Sequence, residues 1–242
     1  NGIIRFKDTS LLGTLNGENG INIRAGGQVF FEGDVTTTSP IHLLTLYGRV
    51  YLDKINADEF TVAELRGARD KSDISALRSD GGVLGSHVYL GDKTLIVSGE
   101  TDTPDNRNLF DSEIHGSEKS KLIKRGDNVW TLRDSHPDFK GELVVEKGTF
   151  QLIDSSIYGA NMSAAKMTTV KSGATLSGYG SAPRFYNGDV TVSGAVGPTR
   201  LESGATLQVG NVLGTTTSRR NFTVVGNLEN NGIVNIHDTN GV

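Results

Sequence analysis

The sequence predicts an all-β protein built as a solenoid, and three observations carry that expectation. Between Lys121 and Ile153 four short β-type segments follow one another: Leu122–Lys124, Val129–Leu132, Leu143–Val145 and Phe150–Ile153. Each roughly alternates apolar and polar residues, the period of a strand with one buried face. The same phrase returns downstream as VKSGATL at 170–176 and LESGATL at 201–207. Such a unit buries its apolar side only by stacking on its neighbours. The composition agrees: 31 Gly, 5 Pro and 7% aromatics indicate many turns and short strands. A hydrophobic share of 36% suits one narrow lumen better than a globular core.

Taken in order, residues 1–52 read as the first coils. Ile3–Phe6, Ile21–Ile23, Gln28–Phe31 and Leu43–Leu52 are separated by Asn-Gly, Gly-Gly and Gly-Asp turns, whose residues tolerate positive φ. Residues 55–80 break the pattern. Glu59–Val62 still reads as a strand, but RGARDKSD at 66–73 is densely charged, so 64–81 is expected to project as a loop. Coils resume at Val83–Leu84, His87–Leu90 and Thr94–Val97. A second polar excursion spans 99–119 and is expected to project too, with Leu109-Phe110 pinning it back on the scaffold. Long irregular insertions in a regular chain are often functional. After the four-segment stretch comes a short linker at 154–167, and regular coils then run from Thr168 to Asp238. The whole of 1–242 is expected to be one domain, because a solenoid extends its core by adding coils.

Composition excludes several functions. With no cysteine there is no disulfide framework, thiol nucleophile or zinc–thiolate site. A net charge of −4 offers no general attraction for nucleic acid or an anionic membrane. No apolar run approaches the roughly 18 residues of a transmembrane helix. The opening NGIIRFKDTS lacks the apolar core of a signal peptide, and a start at Asn suggests a processed or excised piece.

The stretch LIKRGDNVWTL followed by FKGELVVEKGTFQL resembles the passenger-associated repeat of type V autotransporters of Gram-negative bacteria. SGATLSGYG at 172–180 followed by GDVTV at 188–192 is similar to a phrase common towards the C-terminal part of such passengers. The likeness covers about 118–238 well and 1–98 only in general β-rich style. It implies a right-handed parallel β-helix with projecting loops, secreted or held at the bacterial surface, and a parent chain carrying an outer-membrane β-barrel translocator. Passengers of this family include adhesins and toxins, and some Bartonella members act as angiogenic ligands of endothelial receptors. The chain is compact, without long adhesin repeats and without a Gly-Asp-Ser-Gly protease phrase. The resemblance therefore implies a virulence factor of the angiogenic type, engaging a host cell-surface receptor of the growth-factor class.

Candidate binding residues follow from the irregular segments. Arg66, Arg69, Lys71 and Arg78 in the first, and Arg107 with Leu109 and Phe110 in the second, mix charge with an apolar anchor, the residue types usual at interface hot spots. Arg125-Gly126-Asp127 is the integrin-recognition tripeptide, set where the repeat itself calls for a turn. Lys119, Lys121, Lys124, Arg125, Lys140 and Lys147 could form a stripe for a sulfated glycan. However, Asp127, Asp134, Asp138, Glu142 and Glu146 share the stretch and favour a mixed-charge face. Catalysis is not expected. β-Helix lyases hold calcium with clustered carboxylates, but Asp102, Asp105, Asp111 and Glu113 fall in an irregular segment. His42, His87, His115, His136 and His237 read as isolated, without metal-ligand spacing. No constellation in the sequence supports a nucleophile or a metal site and no Gly-rich phosphate loop is present, so no cofactor or metal is expected.

Overall fold

A computed structural model describes residues 2–7, 20–23, 26–35, 41–45, 48–67, 86–100, 109–111, 113–135, 138–156, 166–179, 184–186, 189–191, 194–209 and 222–236. Among these the chain is all-β, with no helix. The strands come in successive coils. The first holds β1 (Ile3–Lys7) and β2 (Ile21–Ile23), the second β3 (Gln28–Gly33) and β4 (Ile41–Thr45), the third β5 (Arg49–Ile55) and β6 (Glu59–Gly67). Then follow β7 (His87–Tyr89), β8 (Thr94–Val97) and β9 (Leu109–Asp111), and next β10 (Glu113–His115), β11 (Lys121–Lys124) and β12 (Val129–Ser135). β13 (Glu142–Val145) with β14 (Thr149–Ser156), and β15 (Thr168–Val170) with β16 (Thr175–Tyr179), make the next two. A hairpin of β17 (Arg184–Tyr186) and β18 (Asp189–Thr191) intervenes, the one antiparallel pair among the described residues. The last coils hold β19 (Ala195–Val196), β20 (Thr199–Leu201) and β21 (Thr206–Val209), then β22 (Thr223–Val224), β23 (Leu228–Asn230) and β24 (Ile233–Ile236).

Outside that hairpin, the described strands pair in parallel with counterparts on neighbouring coils. One face runs β1–β3–β5–β7–β10. A second runs β6–β8–β11–β13–β15–β20–β23. A third runs β9–β12–β14–β16–β21–β24, joined to β6 through Gly67 and Phe110. This stack of parallel coils is consistent with a β-solenoid. The four strands expected within Lys121–Ile153 are β11 to β14.

In-register stacking explains the core. Every second residue points inward, so equal positions of successive coils form columns. Val29, Val50, Val88 and Ile114 form one, and Phe60, Leu95, Leu122 and Leu143 another, all buried. Burying a side chain of this size contributes about 1.5–3 kcal/mol. Trp130 packs edge-on against Phe150 at 5.4 Å, and its indole N–H donates to the Leu65 carbonyl at 3.0 Å. One buried column contains a cation. Lys124 is fully buried between Val97 and Val145, and its Nζ turns to donate to the carbonyl oxygens of Gly126 and Lys147.

The two expected loops need revised bounds. Residues 64–67 belong to β6, where Leu65 fills the core and Gly67 pairs with Phe110. Residues 109–111 and 113–115 are strands as well, because their alternation fits the coil below them. The segments 68–85 and 101–108 lie outside the described residues.

Candidate functional site

The densest grouping of chemistry-bearing side chains lies on the outer surface of the first face. β7 reads His-Val-Tyr and β10 reads Glu-Ile-His, each with the middle residue in the core and its neighbours half-buried outside. The register sets Glu113 on His87 and His115 on Tyr89, while β5 sets Arg49 under His87 and Tyr51 under Tyr89. Two outer columns result. One is Gln28, Arg49, His87 and Glu113; the other is Arg5, Phe30, Tyr51, Tyr89 and His115.

The second column is a continuous ring stack. Arg5 lies 4.1 Å over Phe30, a cation–π contact. Phe30 and Tyr51 stack at 4.3 Å, Tyr51 and Tyr89 at 4.8 Å, and Tyr89 and His115 at 4.5 Å. These spacings follow from the rise between coils, since parallel strands lie about 4.8 Å apart.

At the upper end of the stack the two columns meet. His87 Nδ1 and His115 Nε2 are 2.9 Å apart, and Glu113 Oε2 lies 3.6 Å from each of them. On its far side His115 Nδ1 meets Asp138 Oδ2 at 3.2 Å. Burial, then His115 and Arg49, pull the His87 pKa from 6.5 down to about 4, so its ring is neutral at physiological pH. Burial likewise raises the Tyr89 phenol above 10.0, with Arg49 acting the other way.

The expectation of isolated histidines is thus corrected. His87 and His115 are far apart in sequence, but parallel stacking places them on adjacent coils. Sequence spacing could not show this, because the return from Arg49 to His87 is nearly twice as long as that from Gln28 to Arg49.

Arg125, Gly126 and Asp127 occupy the turn between β11 and β12. The Arg125 and Asp127 side chains are exposed and Gly126 is buried between them. Arg125 donates to Glu146 at 2.6 Å and Lys147 to Asp127 at 2.7 Å, each across to the next coil. The basic stripe takes a different form. Lys124 is inside the protein, and Lys121, Arg125 and Lys171 pair with Glu142 and Glu146. Like positions on successive coils carry opposite signs, which makes a mixed-charge face.

Of the candidate hot-spot residues, Arg66 lies on β6 and pairs with Glu64 on the same strand. Leu109 is half-buried, and Phe110 is fully buried in register with Leu132. Phe110 therefore pins the segment to the core, as the pinning expectation had it, and presents no surface to a partner. Arg69, Lys71, Arg78 and Arg107 lie outside the described residues, as do Asp102, Asp105, His42's side chain, His136 and His237.

Comparison with known proteins gave no match to any family model, curated protein or solved structure.

Proposed function

We propose that the chain is a right-handed β-helix of the autotransporter-passenger kind, secreted or displayed at a bacterial surface, which binds a host cell-surface protein and performs no catalysis. Right-handedness is the sense that parallel crossover connections adopt in nearly every case. One observation carries the binding reading: the described residues that flank 68–85 and 101–108, which hold most of the sequence expected to project, lie on adjacent coils. Residues 68–85 leave from Gly67 and return at β7, and 101–108 leave from β8 and return at β9, whose Phe110 pairs with Gly67. Both roots are clamped by core residues, so a partner touching both segments meets a fixed spacing and loses little ordering entropy at the scaffold. The partner implied by the family resemblance is an endothelial receptor of the growth-factor class.

A second reading has its own observation. Exposed Arg125 and Asp127 flanking buried Gly126 suit an integrin, whose recognition needs a guanidinium and a carboxylate presented from one turn.

The test is capture of cell-surface proteins by the purified chain. Variants with 68–85 or 101–108 replaced by a Gly-Ser turn, and Asp127→Ala, are compared with it. Saturable binding lost with either replacement supports the first reading. Loss with Asp127→Ala alone transfers it to the integrin. Absence of saturable binding in the parent chain defeats both and leaves a stalk.

A further inference from the structure

We propose that His87, Glu113 and His115 form a binding site for a divalent transition metal ion, zinc or copper in class, that staples two adjacent coils. This stands independently of the receptor-binding reading. The argument begins with the triangle of donor atoms. His87 Nδ1, His115 Nε2 and Glu113 Oε2 are separated by 2.9, 3.6 and 3.6 Å. An ion bonded to imidazole nitrogen and carboxylate oxygen at about 2.0–2.2 Å with tetrahedral angles needs donors roughly 3.3 Å apart. The observed edges bracket that value, so an ion seats among the three atoms with small side-chain movements. All three donors are half-buried on the outer surface, and the solvent side is left for water or a partner's donor as fourth ligand.

A second observation points the same way. His115 turns its other ring nitrogen, Nδ1, to Asp138 Oδ2 at 3.2 Å. A carboxylate behind a ligating histidine fixes the tautomer with Nδ1–H as donor and leaves the Nε2 lone pair facing the site. The ring is also held in plane by stacking on Tyr89 at 4.5 Å. Orientation by a carboxylate on one side and an aromatic on the other is the kind of support a rigid metal site needs. Two imidazoles with one carboxylate suit zinc, copper or nickel; calcium and magnesium prefer oxygen donors throughout.

The location gives the ion a structural consequence. His87 is the first residue of β7, where the chain returns from 68–85, and Glu113 and His115 lie on β10 in the next coil. Asp138 comes from the coil beyond, next to Phe139, which bridges Gly116. The ion would tie the point where the chain returns from 68–85 to the coil that begins at β10.

The experiment uses the full chain, stripped with chelator and titrated with Co²⁺ and then Zn²⁺. The proposal expects saturation at a single site, with the visible absorption of low-coordinate Co²⁺ abolished by Zn²⁺, and a Zn²⁺-dependent rise in Tm. In the unaltered chain labelled with ¹⁵N-histidine, Zn²⁺ should perturb His87 Nδ1 and His115 Nε2, a readout independent of whether any variant folds. His87→Ala, His115→Ala and Glu113→Gln should abolish the Co²⁺ spectrum while keeping the β-type circular dichroism. Asp138→Asn, a positioning change, should weaken affinity roughly 10–100-fold and keep the spectrum. A combined His42, His136 and His237→Asn variant should bind like the parent. Absence of the spectrum in the parent chain overturns the site. So does a spectrum that survives His87→Ala with His115→Ala, or one lost with the other three histidines.

Discussion

At Gly126 the chain has no room for a side chain. A Cβ there would overlap the Gly99 carbonyl group, and a Cβ on Gly148 would overlap the carbonyl of Gly126 itself. The three glycines stack at one corner of successive coils, with backbone against backbone. Gly126→Ala should therefore destabilise the protein by about 2–4 kcal/mol, read as a lower urea midpoint with unchanged slope. Asp127→Ala, one residue on, should leave the midpoint nearly unmoved, because its exposed pair with Lys147 contributes little. The contrast separates the two roles of the tripeptide: Gly126 serves the coil, and only Arg125 and Asp127 are available to a partner. The turn itself was legible in the sequence, since the repeat demands Gly there. The His87–His115 pair was not, because column neighbours are fixed by register, and register depends on how long each coil takes to return.

Strands behave as layers, each covered by the one before and the one after. Leu122 lies between Leu95 and Leu143 in the core column, so Leu122→Ala removes contacts with both neighbours. A loss of about 2–5 kcal/mol is expected, measured by chemical unfolding. The turns that follow β11, β13 and β15 carry a charge ladder on the outside. Burial raises the Glu146 carboxyl, but hydrogen bonds from Arg125 and Lys171 on the flanking coils outweigh it and hold the pKa below 4.5. A carboxyl depressed in the folded state binds its proton more readily when unfolded. Its contribution is therefore complete above pH 4.5 and is lost as pH falls below that value through the folded pKa. Glu146→Gln should flatten part of the fall in stability in that acid window, seen by comparing midpoints for the two proteins. Strand positions in Lys121–Ile153 were readable from alternation and Gly spacing. The strands at Leu65–Gly67, Leu109–Asp111 and Glu113–His115 were not, because each run is too short to display a period by itself and lies within a polar stretch of sequence. Phe110 looked like an anchor for a partner because sequence alone does not say which way a loop aromatic turns.

A stack of coils has two open ends, and its middle is protected twice over. Leu228, Ile233, Val234 and Ile236 on the last coil are exposed, as are Ile3 and Ile4 on the first strand. Stability in such a one-dimensional array sums each coil with its nearest neighbours. Amide hydrogen exchange should accordingly be slowest in β11 to β14 and fastest in β1, β23 and β24. Uniform protection along the chain would contradict this.

The registers Lys121 to Glu142 and Val129 to Thr149 make residues 121–141 a unit that can follow itself. A second copy inserted after residue 141 would set its Lys121 over the first and its Gly126 in the same glycine column. Whatever the chain displays before β10 would then stand about 4.8 Å farther from whatever follows β13. In a stack of this register, reach is quantised and its smallest division is one coil.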